Sequence, residues 1–504
     1  MLEILVQGIQ EVFHLSILIK MFIGVAAGIT AGAIPGFTIT MAIVLTLPFT
    51  FGMSPIQGVT TMVGVFIGGL SGGLITAGLL GIPGTPSAVA TTFDAFPMVK
   101  KGEPGRALGI GIWSSFFGSL ISMILLITIA PQVANLAMKI GPWEYFSLVV
   151  FGLTIIASVT GDSIVKGLIA GCFGLLIATV GVDPMSGVPR FIFGIENLGA
   201  GIPFLTVLIG VFAVSRLLTE LEVNEEDEEQ TTGIGIDSNI KFAPLESAKE
   251  VLSQPVNLIR SSIIGAFIGA IPGAGASISN ILAYDQAKKA SKHPEKFGTG
   301  IADGVIASES GNNSTAGGGL IPMIALGIPG SAVSAVMLAA LMVHGINPGP
   351  MLIKNNPDVV GSIFVSFFVA TVFMLIIQFV GARLFLKITK IPKYLLVPTI
   401  LSLCVIGAYV LNNRFSDLYI LFVMGIIGYI LKKYNFALAP VILGVILGPI
   451  AETNLRRALM TSPDWSLFFT RPISVGFLIL GVLSIIYAIW QNNKSKQVAE
   501  KVSA

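Results

Sequence analysis

The sequence predicts an all-α polytopic membrane protein. It should be built from two inverted repeats with re-entrant or broken helices, and carry about ten to twelve membrane segments. Three observations lead there. Of 504 residues, 54% are hydrophobic and only 11% charged, whereas a soluble chain carries about 25% charged residues. Two different signatures each occur twice, in the same order. The basic loops of one half fall where the other half has uncharged ones.

Composition also excludes several function classes. The net charge of +2 gives nucleic acid no footprint. Glycine, 58 of 504 residues, is well above the roughly 7% of average usage and suits close helix packing and broken helices in a bilayer. Cys172 and Cys404 stand in apolar runs and are expected to be buried packing residues rather than disulfide or metal partners. Three histidines are too scattered for a metal cluster. The start, MLEILVQGIQEVFHLSILIK, places Glu3, Glu11 and His14 before its apolar run and lacks a positive n-region. The first hydrophobic segment is therefore expected to stay in the protein. There is no phosphate loop, Ser-His-Asp order or redox motif, so no enzymatic activity, ATP-driven step or cofactor is expected.

Apolar runs of spanning or near-spanning length occupy 15–33, 106–130, 143–160, 162–181, 200–218, 359–386, 395–411, 416–431, 436–450 and 472–490. Regions 32–100 and 258–345 are apolar too, but Gly, Pro, Ser, Thr and Asn interrupt them. The interruptions free backbone groups that lipid cannot satisfy, so these regions must be buried in protein or line a cavity. Residues 1–219 are expected to form the first repeat. A polar acidic linker follows at 220–256, opening with ELEVNEEDEEQ, with its solvated, flexible part at 220–240. The second repeat is expected at 257–431, and additional helices with a basic tail at 432–504.

The repeat rests on two signatures. GAIPG occurs at 32–36 and 269–273; GGLI, four residues, then LGIPG occurs at 72–84 and 318–330. Their spacings are 237 and 246 residues, so the second half carries nine extra between them. Gly24, Gly28 and Gly32 read as a helix-packing face. Charge supplies the orientation. Lys100, Lys101 and Arg106 follow the first LGIPG helix, whereas the matching loop from His344 to Pro350 has no Lys or Arg. Lys288, Lys289, Lys292 and Lys296 follow the second GAIPG helix, and its counterpart LPFTFGMSP is uncharged. Basic loops face the cytoplasm, so equivalent loops lie on opposite sides and the second GAIPG becomes the tip of a re-entrant hairpin. Arg456 and Arg457 are exceptions to the charge count.

The Gly-Pro breaks carry the candidate chemistry. After Gly84, Thr85 suits an N-cap and Pro86 the first helical position, with Ser87 beside them; after Gly330, Ser331 caps AVSAVMLAALMV. A helix N-terminus at membrane depth offers free N–H groups and about half a positive charge. Two of them converging would hold an anion without arginine, and no Lys or Arg occurs at 58–99 or 303–343. The second half adds Asn312, Asn313, Ser314 and Thr315, whose carbonyl oxygens suit a hard cation and whose donors suit a carboxylate. The first half has FIGGLS at 66–71 in that place. Substrate-binding candidates are thus Gly84, Thr85, Ser87, Asn312, Asn313, Ser314, Thr315, Gly330 and Ser331. Ion-coupling candidates are Asn312, Asn313, Glu309, Asp303 and Asp94, since acids at membrane depth are functional by default. For Asp303 the plain alternative is a helix end at the cytoplasmic side, and for Asp94 a solvated helix end near Lys100 and Lys101. Paired broken helices in two inverted halves predict an elevator-type carrier for an anion. An anion channel or an intramembrane enzyme are the alternatives. A channel would need a continuous pore; an enzyme would need a nucleophile with a base or two paired acids, which Glu309 and Asp303 do not supply.

GIPGTPSAVATTFDAFPMVKKGEPGRALG at 81–109 and ESGNNSTAGGGLIPMIALGIPGSAVSAVML at 309–338 resemble the two signatures of the large membrane (permease) subunit of tripartite tricarboxylate transporters, the TctA family. The likeness runs over about residues 15–430. It departs at Asp94-Ala95-Phe96-Pro97, where the family commonly has Asp-Gly-Tyr-Pro. The resemblance implies a bacterial inner-membrane permease working with a small membrane subunit of about four helices and a periplasmic solute-binding protein. It implies uptake of citrate-like tricarboxylates or related organic acids, driven by an ion gradient. Na⁺ is the expected coupling ion, with H⁺ the alternative, and no metal beyond a transported Na⁺ is expected.

Overall fold

In the computed structural model, described at all residues except 160–162, 184, 223–239, 389–392 and 504, the apolar runs become helices, and the two-residue strands at 181–182 and 189–190 pair as a hairpin. The acidic stretch expected as linker thus lies, from 223 to 239, outside the described residues.

Contacts group the described chain into two compact units. One comprises Met1–Ala134 with Glu220–Leu403, the other Asn135–Thr219 with Cys404–Ala504. This grouping does not bear on the repeat boundaries. The first unit contains both copies of the signatures. Its first copy runs through α1 (Leu2–Val12), α2 (Leu15–Ala33), α3 (Ile39–Thr50), α4 (Pro55–Leu80), α5 (Val89–Lys100) and α6 (Pro104–Ala137). Its second runs through α7 (Pro244–Leu252), α8 (Pro255–Ala270), α9 (Gly275–Ala290), α10 (Ala302–Leu326), α11 (Ala332–Val343) and α12 (Pro357–Ile388).

Local chemistry sets the starts of these helices. Thr38 caps α3 by accepting from the Met41 amide at 3.1 Å. Ser54 caps α4 ahead of Pro55, where a missing N–H costs nothing. The longest spans pack through glycine. A Cβ added to Gly24, Gly28 or Gly32 of α2 would collide with the carbonyl oxygens of Thr61, Val65 and Gly69 on α4. The expected packing face is therefore present, and its partner is α4. In the second copy Gly265 and Gly269 of α8 abut Gly311 and Thr315 of α10 in the same way.

Enclosure follows the polarity pattern. In α4, 94% of the most apolar stretch is buried, and α10 is buried from Gly304 to Ala325. These are the two Gly-rich helices that lipid could not serve. Six helices among the described residues are long and apolar enough to cross a membrane, or seven if the bent pair α7–α8, angled by 82°, is one span. This is fewer than the ten to twelve segments expected. Proline and glycine bound shorter apolar helices such as α3 and α11, and Ile164–Ala178 is likewise short of a full span.

The second unit packs Ile164–Ala178 on Ala439–Thr461 through Gly171, Gly174 and Gly444. Phe204–Leu221, with a π-helical turn at Ile209–Val214, packs on Phe415–Lys433 through Gly210, Gly425 and Gly428. At the strand hairpin, Arg456 binds Asp183 at 2.6 Å and Glu452 at 2.7 Å, while Arg190 binds Glu452 at 2.6 Å. The exceptional Arg456 of the charge count is thus spent on two carboxylates. Cys404 is buried as expected, but Cys172 is exposed on its helix, because it falls on the face away from the packed glycines.

Candidate functional site

The two copies adopt the same backbone at their signatures. After α2 the chain leaves the helix at Ile34 with φ −83° and ψ 115°; after α8 it leaves at Ile271 with φ −81° and ψ 120°. After α4 and α10 the residues that end the helices are Gly81 at φ +70° and Gly327 at φ +71°. That left-handed geometry is strained for any residue with a Cβ. The two signatures of each half then meet. A Cβ on Gly84 would overlap the Gly32 carbonyl oxygen and come within 3.2 Å of Gly73 Cα; one on Gly330 would overlap the Gly269 carbonyl oxygen and come within 3.1 Å of Gly319 Cα. The Gly273 amide also donates to the Gly330 carbonyl at 3.1 Å. Glycine is needed because the backbones touch, so each candidate site begins as two turns pressed together.

The side chains placed on this frame differ between halves. Thr85 and Ser87 are buried, with their hydroxyls 2.9 Å apart. Thr85 precedes a short 3-10 turn, Pro86–Ala88, rather than an α-helix, and its side chain caps no amide. Pro83 and Pro86 flank it and delay the α-helix to Val89. Ser331 does cap α11: its hydroxyl accepts from the Ser334 amide at 3.1 Å, and the Ser331 amide donates to the Ser334 hydroxyl at 2.7 Å. Ser314 and Thr315 turn their hydroxyls onto carbonyls of their own helix, those of Gly311 and Asn312. Asn312 and Asn313 are fully buried. The Asn312 amide donates to Leu70 O on α4 at 2.9 Å, and the Asn313 amide to Ser115 Oγ on α6 at 2.8 Å. Neither Asn312 Oδ1 nor Asn313 Oδ1 has a hydrogen-bond partner. The 3-10 turn carrying Ser87 packs against both α9 and α10, so the first half's broken helix meets the second half's polar helix within one unit.

The three acids separate. Glu309 is fully buried and accepts from Thr91 at 2.5 Å, Ser115 at 2.9 Å and the Asn313 amide at 3.3 Å. Asp303 lies in the first turn of α10, half-buried, accepting from Gln254 at 3.0 Å. Asp94 is buried rather than solvated. Its Oδ1 accepts the backbone amides of Gly298, Gly300 and Ile301 at 3.0, 2.7 and 3.1 Å, and its Oδ2 accepts the Tyr284 hydroxyl at 2.8 Å. Gly298 and Gly300, at φ +88° and +93°, let consecutive amides turn toward one oxygen. Asp94 thereby clamps the loop between α9 and α10, and it is Glu309 that joins the asparagine pair.

Several residues of the neighbourhood were not singled out by the sequence, Thr91, Ser115, Asn280 and Gln378 among them. Asn280 on α9 is fully buried, and neither of its amide atoms has a partner. Tyr284, one turn on, faces Asp94 of α5, so helical spacing turns Asn280 toward the 3-10 turn that opens α5. Its signal was a lone amide in a helix that had to be enclosed. Gln378 of α12 is buried and fully paired with Ser71: Nε2 donates to Ser71 O at 2.8 Å, and Oε1 accepts from Ser71 Oγ at 3.0 Å. It fastens α12 beside Leu70, the anchor of Asn312.

Chemically, the neighbourhood offers hydroxyls, primary amides, helix N-termini and one carboxylate. Fold and site together define a multi-pass helical membrane protein with broken helices and buried polar groups in its first unit. Comparison with known proteins gives the particular kind. The sequence profile of the "Tripartite tricarboxylate transporter TctA family" matches residues 18–443, and the chain belongs to that family, a family of transporter subunits. It is 35% identical over 477 residues, 94% of each chain, to a protein of Agrobacterium vitis described as an uncharacterized 52.8 kDa protein in the TAR-I ttuC′ 3′ region. It is 36% identical over 234 residues to a second protein of that organism, from the TAR-II ttuC′ 3′ region, which covers 46% of this chain and 97% of the relative. No solved structure matches.

Proposed function

We propose that this protein is the permease of an ion-gradient-driven uptake system for citrate-like tricarboxylates or related organic acids. It works in the bacterial inner membrane with a small membrane subunit of about four helices and a periplasmic solute-binding protein. Family membership supports a tricarboxylate transporter subunit with partners; substrate, ion and compartment are parts of this reading. The observation that carries the site is the matched pair of helix breaks, each ending in a buried or half-buried hydroxyl residue, Thr85 and Ser331, with Asn312 and Asn313 between them in sequence. A trianion entering such a place loses hydration worth far more than any single hydrogen bond returns. Several donors and the N-terminal end of α11 must act together, and a cation bound at the same time lowers the cost further. Such co-binding makes each ligand favour the other, which is the thermodynamic content of symport. In this reading Thr85, Ser87, Asn280 and Ser331 contact the anion, Asn312 and Asn313 turn their carbonyl oxygens to the co-bound cation, the repeats at 1–219 and 257–431 are inverted, and access alternates by an elevator motion.

The test is uptake of labelled citrate into vesicles holding the whole complex, against both substrate and Na⁺ concentration. Losing one donor to a buried charge costs about 1.5–3 kcal/mol, or roughly ten- to a hundredfold in affinity. Asn280→Ala should therefore remove most uptake at fixed substrate while leaving the amount of complex unchanged. Wild-type curves in that variant would take the α9 amide out of the site.

A further inference from the structure

We infer that α5, α6 and α10 together build a site for one bare monovalent cation, of Na⁺ size, between the two halves. Its ligands are the Glu309 carboxylate, Asn313 Oδ1 and Ser119 Oγ, with Asn312 Oδ1 completing the set.

The first support is the register of α6 on α10. A Cβ on Gly118 would fall 2.6 Å from Ser310 O, and one on Gly317 would strike Ser122 O. The two helices therefore advance side by side in the same direction. Ser115 meets Glu309 and Asn313. One turn further, Ser119 comes level with the turn of α10 that follows Glu309.

The second support is satisfaction. Asn313 spends its amide hydrogens on Ser115 Oγ, Glu309 O and Glu309 Oε2. Asn312 uses its amide on Leu70 O. Their carbonyl oxygens are therefore the atoms left over. Asn312 Oδ1, Asn313 Oδ1 and Ser119 Oγ are all buried without a partner, on residues with 0% exposure. Buried polar atoms are almost always paired, and leaving three unpaired is costly.

The third support is charge. Glu309 is met by neutral donors, with no cationic side chain facing it among the described residues. A cation would engage all the leftover oxygens and neutralise the carboxylate. A proton on Glu309 would do the second but could pair with only one oxygen. One carboxylate matches one positive charge, whereas divalent sites of hard-cation type draw on more anionic ligands or retained waters. Thr91 and Ser115 hold the carboxylate in place, so ligands from both halves must be aligned for the ion to bind.

The assignment rests on the ion-coupled reading for its physiological meaning, but it can be tested without transport. The purified full chain is heated in detergent with NaCl, KCl or choline chloride at constant ionic strength. Na⁺ should raise the unfolding temperature in a saturable way, by mass action on the folded state, and choline should not. Glu309→Gln should abolish the rise. Ser119→Ala, a change small enough to fold in any case, should shift the Na⁺ midpoint upward by roughly tenfold or more. A wild-type protein indifferent to Na⁺ overturns the site, as does stability that follows pH alone with Glu309→Gln resembling the acid form. A Ser119→Ala midpoint equal to wild type removes Ser119 and with it the proposed ligand set. Na⁺-driven uptake with an unchanged midpoint in both variants would sink this site and leave the transport reading standing. A normal Na⁺ midpoint with no organic-acid uptake by the full complex would do the reverse.

Discussion

Asp94 gives the sharpest separation between an ion-coupling acid and an anchoring one. Its carboxylate receives three loop amides and the Tyr284 hydroxyl, all within 2.7–3.1 Å. A hydrogen bond to a charged acceptor contributes about 1.5–3 kcal/mol, but four bonds sharing one carboxylate are not additive. Gly298 is exposed, so its freed amide would find water. Asp94→Ala leaves the Gly300 and Ile301 amides and the buried Tyr284 hydroxyl without their acceptor and should thus cost about 1–3 kcal/mol per unpaired donor, several kcal/mol in all. In a folded unit of this size that corresponds to a fall of roughly 5–15 °C in unfolding temperature. Asp94→Asn keeps Oδ1 for the three amides and presents an NH₂ to a hydroxyl that can accept. Its loss should be about 1 kcal/mol. Thermal unfolding in detergent measures both, and limited trypsin cleavage at Lys296 reports whether the loop has come loose. An alanine variant that unfolds within about 1 kcal/mol of wild type with unaltered cleavage would refute the anchoring argument. A changed cation dependence of uptake at unchanged stability would return Asp94 to the coupling machinery.

Gly84→Ala and Gly330→Ala should each destabilise the chain by about 1–3 kcal/mol or more, because the new methyl strikes backbone. Gly52→Ala, with nothing within 4 Å of its Cβ, should stay near wild type in the same unfolding assay. Single-cysteine reporters at 102 and 292 should label from the cytoplasmic side, and one at the exposed position 347 from the opposite side. Equal labelling of 102 and 347 would end the inverted arrangement. In the second unit the Ser186 hydroxyl, the Met185 amide and Arg456 hold the Asp183 carboxyl well below the usual carboxylate range. A depressed acid contributes stability above its unfolded pKa of about 3.9 and loses it as pH falls toward the folded value. Asp183→Asn should therefore lower the unfolding temperature at pH 7, with the difference from wild type shrinking below about pH 4; a difference independent of pH would contradict the shift.

Much of this was legible because glycine and proline are explicit about backbone. The recurrence of GAIPG and LGIPG predicted two equivalent breaks, and the matched angles at Ile34 and Ile271, and at Gly81 and Gly327, reproduce them. The Gly24, Gly28 and Gly32 stripe predicted a packing face without naming α4 as its partner, since a periodicity describes one surface only. Side-chain roles were less legible. Asp94 and Glu309 look alike in sequence, each an acid in an apolar context. What distinguishes them is the company brought by α9 and by α6, from residues about two hundred positions away. Ser119 and Asn280 carried no motif at all. Their interest comes from having nothing to bond to, which is a property of the folded neighbourhood.

The pressed turns at Gly32–Gly84 and Gly269–Gly330 have a mechanical consequence. Backbone in contact with backbone leaves no slack, so neither tip can serve as a joint, and any displacement must carry each tip as a stiff wedge. Compliance belongs instead at Gly102 and Gly345. Each stands just beyond the helix that follows a tip, at φ +86° and +75°, with nothing within 4 Å of its Cβ. These two open pivots thus occupy corresponding places after the two LGIPG signatures, and the helices Val89–Lys100 and Ala332–Val343 are the levers between pivot and wedge.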